Sequence, residues 1–269
     1  MPRFRPVDQT GPVDGFSAST YGDGFADVYD RWYPEVTDTA ACVALIAELA
    51  RSAADGRQVL ELGIGTGRLA LPLSARGLDV TGIDASTEML DALAAKPGAD
   101  RLTVLVGDMA DAADLLAPPT AAGDGFAVAF AAYNTLFNLP TAEAQSRCLR
   151  GVAERLAPDG HLVVEGFVPT DDPTARRDDV AVSRIDSTEL VLSATLHDPD
   201  AQTITGQHVQ ITEGNIRLRP WLVRYLWPDQ LDALAAAAAL ELEHRWSDWE
   251  RTPFDDTSPV HVSVYRRTS

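Results

Sequence analysis

The chain has 269 residues, 45% hydrophobic and 23% charged, so it is long enough to bury a core in one large α/β domain, alone or carrying an insertion. Its formal net charge of −18 argues against nucleic acid and against anionic membrane surfaces as partners, because both are bound through clustered Lys and Arg. Cys42 and Cys148 lack neighbouring Cys or His at ligand spacing, so we expect neither a metal site nor a disulfide. The sequence has neither a secretory signal nor an apolar run near the ~20 residues of a membrane span, which favours a cytoplasmic protein.

Short apolar strands alternate with helical segments through the first part of the chain. A helical stretch broken at Pro34 is predicted over residues 25–50. Strands are predicted at 58–62, 78–83, 101–106, 126–131 and 161–165, with helices at about 68–75, 86–95 and 141–156. Because strands and helices alternate, βαβ units and a parallel sheet are expected.

The pattern changes after Phe167. Stretches between 178 and 226 have a period of two and are separated by turn residues, which predicts a small antiparallel insert. A helix over 228–240 and two strands, 240–246 and 260–266, are predicted to follow. We therefore divide the chain into a first part of the α/β domain at 1–168, the insert at 169–227, and the last helix and two strands at 228–269.

A glycine-rich loop, within VLELGIGTGRLA at 59–70, connects the first strand to the next helix. Gly63, Gly65 and Gly67 lack a β-carbon, so the chain can turn tightly and a ligand can approach the backbone. Asp84 ends the second strand, where a carboxylate can accept hydrogen bonds from ribose hydroxyls. A dinucleotide fingerprint requires a further glycine where Arg68 stands, which weakens the case for a nicotinamide cofactor.

This loop is accompanied by Glu61 before it, by GIDASTEML at 82–90, and by GDM at 107–109. In this combination the sequence resembles class I S-adenosylmethionine (SAM)-dependent methyltransferases over most of residues 20–170. The resemblance implies a Rossmann-like, mostly parallel seven-stranded sheet carrying the small antiparallel β insert. It also implies SAM as cofactor and S-adenosylhomocysteine as product.

The resemblance assigns roles around the cofactor. The three loop glycines would run beside the methionine and ribose, Glu61 would orient the amino-acid end, and Asp84 would hold the ribose. The adenine would contact Met89, Asp108 and Met109. Two of these residues have structural alternatives: Met89 can belong to the core, and Asp108 can cap the next helix.

Aromatic residues are expected on both sides of the transferred methyl group. In the family, the segment after the fourth strand, here AAYNTLFNL at 131–139, passes under the methyl group. Tyr133 and Asn134 would therefore touch the sulfonium or the acceptor, and Phe137 would form part of an apolar wall. The segment around Tyr21, Tyr29 and Tyr33 is similar to the lid of small-molecule methyltransferases. Tyr21 and Tyr33 are assigned to the cofactor; Tyr29 is assigned to the acceptor, with packing on the sheet as its alternative.

A base is needed if the acceptor must lose a proton. Glu165, at the end of the fifth strand, is the first candidate. His261 is the second, because it starts the last strand, which would run antiparallel as in the family. His208 in the insert is assigned to the acceptor pocket.

The insert resembles the antiparallel lid of antibiotic-pathway sugar N-methyltransferases, which roofs the acceptor and often helps to form a dimer. We therefore expect an enzyme of secondary metabolism that moves a methyl group to N or O of a small natural-product-like acceptor, with a homodimer formed through the insert. Two alternatives stay open: a nicotinamide-dependent oxidoreductase, and a SAM-fold protein with chemistry other than methyl transfer.

Overall fold

The computed structural model describes residues 15–52, 56–119, 125–169 and 177–268. Its helices are α1 Thr20–Phe25, α2 Tyr29–Trp32, α3 Thr39–Ser52, α4 Ala70–Ala75, α5 Thr87–Ala94, α6 Ala112–Leu115, α7 Ala142–Arg155 and α8 Pro228–Ala237. Its strands are β1 Gln58–Leu62, β2 Asp79–Asp84, β3 Thr103–Val106, β4 Phe126–Ala131, β5 Leu156–Phe167, β6 Arg177–Ile185, β7 Glu189–Asp198, β8 Thr203–Thr212, β9 Asn215–Arg224, β10 Leu240–Trp246 and β11 Val260–Arg267.

Seven strands form the main sheet in the order β3-β2-β1-β4-β5-β11-β10. The first five are parallel, whereas β11 runs antiparallel to β5 and β10 antiparallel to β11. The direction of strand addition reverses between β1 and β4, and ligands of open α/β sheets bind at the carboxyl ends of strands at such a switch point. The expected Rossmann-like sheet with a small antiparallel insert is confirmed.

The sheet is covered on both faces, which explains why its central strands are apolar at nearly every position. In β4, whose sequence is FAVAFA, Val128 and Phe130 join the core that includes α3, while Ala129 and Ala131 join the core that includes α7. Alternate side chains of a strand point to opposite faces, so both faces of this strand require apolar residues.

Two of the differences between the predicted and the observed elements lie in the N-terminal helices and in the fifth strand. The stretch predicted as a helix broken at Pro34 begins at the last residue of α1 and forms two further helices, α2 and α3. The Asp38 side chain accepts the Ala41 N–H and so starts α3 separately. The fifth strand begins at Leu156 and not at 161. Asp159, with φ 62°, lets the chain pass through an irregularity in the pairing with β4 without leaving the sheet.

The insert is a four-stranded antiparallel sheet in the order β6-β7-β8-β9. One face packs on the N-terminal helices, where Val191 joins a buried cluster with Phe25 and Trp32. Arg219 ties the two parts together: its guanidinium donates to both carboxylate oxygens of Asp27 and to the carbonyl of Gly24. The N-terminal helices and the insert thus form one roof over the carboxyl ends of the parallel strands.

Candidate active site

A cavity of about 550 Å³ lies beneath this roof, at the carboxyl ends of the parallel strands. Twelve of the residues predicted for the site line it: Tyr21, Tyr29, Tyr33, Gly63, Gly65, Asp84, Met89, Asp108, Met109, Tyr133, Asn134 and His208. The other five, Glu61, Gly67, Phe137, Glu165 and His261, are not among the described residues that form its lining. The fold therefore gathers most of the predicted site around one space.

The three loop glycines all have positive φ, between 52° and 79°, but they serve different ends. A Cβ on Gly63 would lie 2.6 Å from Thr135 Cγ2, and one on Gly67 would lie 2.3 Å from Leu93 Cδ1. A Cβ on Gly65 would meet no protein atom nearer than 4.0 Å, although this residue lines the cavity. Gly67 is thus required by packing, and Gly65 keeps space open for a ligand.

Asp84 is fixed by two backbone hydrogen bonds. Its Oδ2 accepts from Gly65 N at 2.8 Å and its Oδ1 from Ser86 N at 2.9 Å. Burial raises the pKa of Asp84, and these hydrogen bonds oppose the rise. Each carboxylate oxygen retains a second lone pair. The side chain can therefore hold the loop and also accept hydrogen bonds from the two ribose hydroxyls.

At the predicted adenine end, the structural alternatives and the cofactor roles occur together. Asp108 Oδ1 accepts from Ala110 N at 2.9 Å and so caps the 3₁₀ helix Met109–Asp111, while the same residue lines the cavity. Met89 belongs to the buried cluster under the N-terminal helices and also lines the cavity. A core or capping contact therefore does not exclude contact with the adenine.

Glu61 lies behind the glycine loop in a second, small pocket of about 30 Å³ that it shares with Arg68, Tyr29 and Tyr133. Glu61 Oε2 and Arg68 Nε are buried and have no hydrogen-bond partner among the described residues. Burial raises the pKa of Glu61 well above its usual value, and Arg68 opposes this. An orphaned carboxylate oxygen beside an orphaned guanidinium N–H fits the ammonium and carboxylate of an amino acid. Nothing in the sequence pattern assigned Arg68 to the site, because it was noted only as the residue in place of the last glycine of a dinucleotide fingerprint.

We expect Glu61→Gln to raise the melting temperature of the free protein at about pH 8 by roughly 2–4 °C, the shift that about 1 kcal/mol produces in a chain of this size, while weakening SAM binding. Because the folded-state pKa is raised, the folded protein retains a proton that the unfolded chain releases above its pKa of 4.5. Stability is therefore lost as the pH rises from there through the folded pKa. Thermal scans across this range should show the gain shrinking toward pH 4.5, and calorimetry should show the weaker binding. An unchanged or lower melting temperature at pH 8 would contradict this account.

Tyrosines from the roof and from the segment after β4 line the wall nearest this amino-acid pocket. The ring centroids of Tyr29 and Tyr33 are 5.3 Å apart, and those of Tyr33 and Tyr133 are 6.2 Å apart. Burial raises the pKa of Tyr29 to about 12, so this phenol stays neutral. Such rings can attract a sulfonium through their faces. Tyr29, predicted on the acceptor side, lines the large cavity and also the small pocket that contains Glu61.

Glu165 is held behind the segment that follows β4. Its Oε2 accepts from Thr37 Oγ1 at 3.0 Å and from Tyr133 N at 2.5 Å. Tyr133 and Asn134 have φ of 48° and 62°, a conformation that requires support from its surroundings. The structure therefore gives Glu165 the position of a support for Tyr133 and does not bring it to the cavity wall.

His261 and Phe137 also lie behind the cavity. β11 is antiparallel to β5 as expected and pairs His261 with Gly166, but the imidazole is completely buried and its Nδ1 is 2.9 Å from Ser263 Oγ. Burial lowers the pKa of His261 to about 4. Phe137 packs edge-on against Phe167, whose ring lines the cavity. The structure therefore does not bring His261 or Phe137 into the lining.

His208 does reach the cavity from the insert. Its Nδ1 accepts a hydrogen bond from Trp221 Nε1 at 2.9 Å. The cavity is also lined by Trp221, Ile204 and Val223, which lie on the same face of the insert. The period of two in the insert sequence predicts two alternating faces, but it does not predict which face meets the cavity.

Comparison with known proteins agrees with this geometry. A family profile described as "Methyltransferase domain" matches residues 59–160. The CcbJ methyltransferase from Streptomyces caelestis is 38% identical, and the alignment covers 94% of this chain and 100% of that one with a TM-score of 0.80. The cypemycin N-terminal methyltransferase of a Streptomyces species is 31% identical over 155 residues, which is 58% of each protein. The sugar N-methyltransferase KedS8 from Streptoalloteichus sp ATCC 53650, at 20% identity, shares the fold with a TM-score of 0.62 over 99% of this chain and 100% of that one.

The chain belongs to the class I SAM-dependent methyltransferases, and its cofactor is SAM, with S-adenosylhomocysteine as the product. The residues present fit that molecule: Asp84 suits the ribose hydroxyls, Glu61 and Arg68 the amino acid, and Asp108 the adenine amino group. This membership argues against the nicotinamide alternative.

Proposed function

We propose that the enzyme transfers the methyl group of SAM to a nitrogen or oxygen of a small, natural-product-like acceptor in secondary metabolism. The observation that carries this proposal is the single continuous cavity, which extends from Asp84 and Asp108 to Ile204 and Trp221 under the insert. Its volume of about 550 Å³ is in the range of small-molecule sites. The relatives point the same way, since one is named as a sugar N-methyltransferase and another as the N-terminal methyltransferase of cypemycin.

When bound, SAM supplies a methyl group already activated on a sulfonium. The protein then has to align the acceptor and exclude water. Tyr29 and Tyr133 line both pockets and offer neutral rings where the amino-acid pocket meets the larger cavity. The roof formed by the N-terminal helices and the insert shields this junction. Neither Glu165 nor His261 reaches this junction, so we place them as supports of the site and propose no proton transfer through them.

The proposal is tested by incubating the protein with SAM carrying a deuterated methyl group and with a panel of amino sugars, cyclic amines and phenols. We expect one class to gain the labelled methyl group by mass spectrometry, with an equal amount of S-adenosylhomocysteine released. SAM that binds saturably yet stays unconverted with every member of the panel would contradict the proposal and favour chemistry other than methyl transfer.

We propose in addition that the enzyme works in the cytoplasm and that neither nucleic acid nor a membrane surface is its partner. The net charge of −18 supports this, because acidic proteins are repelled by both polyanions. Cys42 and Cys148 are both buried free thiols, which suits a reducing compartment. In the part of the chain that the structure describes, no helix is both long and apolar enough to cross a membrane.

We also propose a homodimer formed through the outer face of the insert. Register places six apolar side chains on that face, each between 58% and 73% exposed: Val180, Val182, Ile185, Leu196, Ile216 and Leu218. Four strands of about ten residues present roughly 600 Å² per copy, so two such faces together reach the size of a standard protein interface. The same apolar patch on each copy suits a two-fold contact.

Val182→Asp is expected to turn the dimer into a monomer, because it would bury an unpaired charge in the contact. Val106→Asp is the matched control, since Val106 is 58% exposed but lies on β3, away from the insert. Sedimentation velocity measures both variants. A wild-type protein that is monomeric at every concentration, or a Val182→Asp variant that remains dimeric, would contradict the proposed contact.

A further inference from the structure

The inner face of the insert carries an imidazole held by an indole. Gly206 on β8 pairs with Trp221 on β9, and a Cβ on Gly206 would lie 2.0 Å from Trp221 Cε2. The indole therefore lies across the space that Gly206 leaves open. It reaches the next side chain on the same face of β8, His208, where Trp221 Nε1 donates to His208 Nδ1 at 2.9 Å. This contact depends on a glycine and a tryptophan on neighbouring strands.

The hydrogen bond determines which imidazole nitrogen carries the proton. An indole N–H can only donate, so His208 Nδ1 must offer its lone pair, and the neutral ring then carries its proton on Nε2. A protonated ring would direct a second N–H at the indole N–H. Burial and the nearby cation of Arg219 lower the pKa of His208 as well. The carboxylate of Asp27, between the N-terminal helices, is paired with Arg219 through both of its oxygens. It is therefore not free to stabilise a protonated His208.

The surroundings fix the ring while leaving Nε2 available. Phe25 meets the imidazole edge-on at 5.5 Å between centroids, and Trp32 lies at 6.2 Å. Nε2 has no hydrogen-bond partner among the described residues, and His208 is partly exposed and lines the cavity. Ile204 and Val223, which share this face of the insert, supply apolar wall beside it.

We propose that His208 presents its Nε2–H to the methyl acceptor and thereby selects an uncharged molecule that places a carbonyl, hydroxyl or ether oxygen at this position. In this role His208 is a specificity-determining hydrogen-bond donor and not a general base, because its proton-accepting nitrogen is already engaged by Trp221. The proposal rests on the proposed function, since it concerns the acceptor end of the same cavity.

The first test is the tautomer itself, observed by NMR on protein with ¹⁵N-labelled histidine and saturated with S-adenosylhomocysteine. The chain has five histidines, and the signals that disappear in His208→Gln identify His208. We expect a protonated Nε2 and an unprotonated Nδ1 at neutral pH. Trp221→Phe should give a mixture of tautomers and a higher pKa for His208. A proton on Nδ1 in the wild type would overturn the proposal.

The second test uses two probes of the same ring size: cyclohexanone, which only accepts hydrogen bonds, and cyclohexylammonium, which only donates them. With S-adenosylhomocysteine bound, we expect ligand-observed NMR to show that His208→Leu weakens cyclohexanone binding by roughly 2- to 10-fold, the value of one neutral hydrogen bond. His208→Gln keeps a donor and should restore most of it. Preferential binding of cyclohexylammonium that both variants abolish would show a lone pair on Nε2 and overturn the proposal.

The two proposals fail in distinguishable ways. Affinity for S-adenosylhomocysteine, measured by calorimetry on the same samples, reports the cofactor site and should be the same in His208→Gln, His208→Leu and the wild type. Normal cofactor affinity with cyclohexanone binding that does not depend on residue 208 would overturn the role of His208 alone. Loss of cofactor binding by the wild type would instead count against the proposed function.

Discussion

Asp84→Asn is expected to weaken SAM binding by roughly 10- to 100-fold, the range of one lost charge-assisted hydrogen bond. Both oxygens of Asp84 accept backbone N–H groups, from Gly65 and from Ser86. An amide at this position must turn its NH₂ group toward one of those donors. The variant therefore loses the negative charge at the ribose hydroxyls and also a bond that holds the glycine loop in place.

The matched control is Asp79→Asn, at the opposite end of the same strand. Its side chain is exposed and makes a long contact, 3.5 Å, with the exposed Arg57. Isothermal calorimetry with SAM should show wild-type affinity for the control and a large loss for Asp84→Asn. Equal affinities in the two variants would remove Asp84 from the cofactor site. The melting temperature of each free variant shows whether any loss comes from unfolding.

Gly65→Ala should cost a comparable factor, roughly 10- to 100-fold in SAM affinity, because a methyl group placed in a filled site costs about 1–3 kcal/mol. Gly65 has φ 52°, and its added Cβ would touch no protein atom closer than 4.0 Å. The space the methyl group enters is the cavity itself. The free protein should therefore lose little stability beyond the strain of an alanine at positive φ. SAM should bind less tightly, because the methyl group occupies space that the cofactor needs.

Gly77→Ala separates those two effects. Gly77 has φ 84°, is exposed, and offers nothing within 4 Å of an added Cβ, but it lies in the turn after α4, outside the cavity lining. Both variants should lose a similar part of the free energy of unfolding, measured by denaturant titration, and only Gly65→Ala should lose affinity. A Gly65→Ala variant that binds SAM as tightly as Gly77→Ala would show that the cofactor does not approach this part of the loop.

Local signals were sufficient to predict the parallel sheet, and most of the residues predicted for the cofactor line the cavity at its carboxyl edge. β1 and β4 have the bounds that their apolar runs predicted, and Asp84 ends β2 at the sheet edge where the fold places ligands. These features are encoded within a few consecutive residues: a buried strand, a glycine turn and an acid at the strand end. Contacts with distant parts of the chain therefore had little effect on these local features.

The acceptor end was less predictable because it depends on contacts between distant segments. The position of Glu165 at the end of β5 suggested a base, yet which way its carboxylate turns depends on Thr37 and Tyr133, and these three residues are far apart in the chain. His261 reaches the expected edge, but Ser263 and the packing of the final strands keep its side chain in the core. Alternation along a strand predicts which face of the sheet a side chain lies on, but it does not predict which residues that side chain contacts.

The most direct test of the central claim is a crystal structure of the protein with S-adenosylhomocysteine. We expect the ribose hydroxyls on Asp84, the amino-acid ammonium and carboxylate beside Glu61 and Arg68, and the thioether sulfur facing the space beneath Ile204 and His208. A ligand bound elsewhere, or one whose sulfur faces away from the space under the insert, would contradict the assignment of this cavity to methyl transfer.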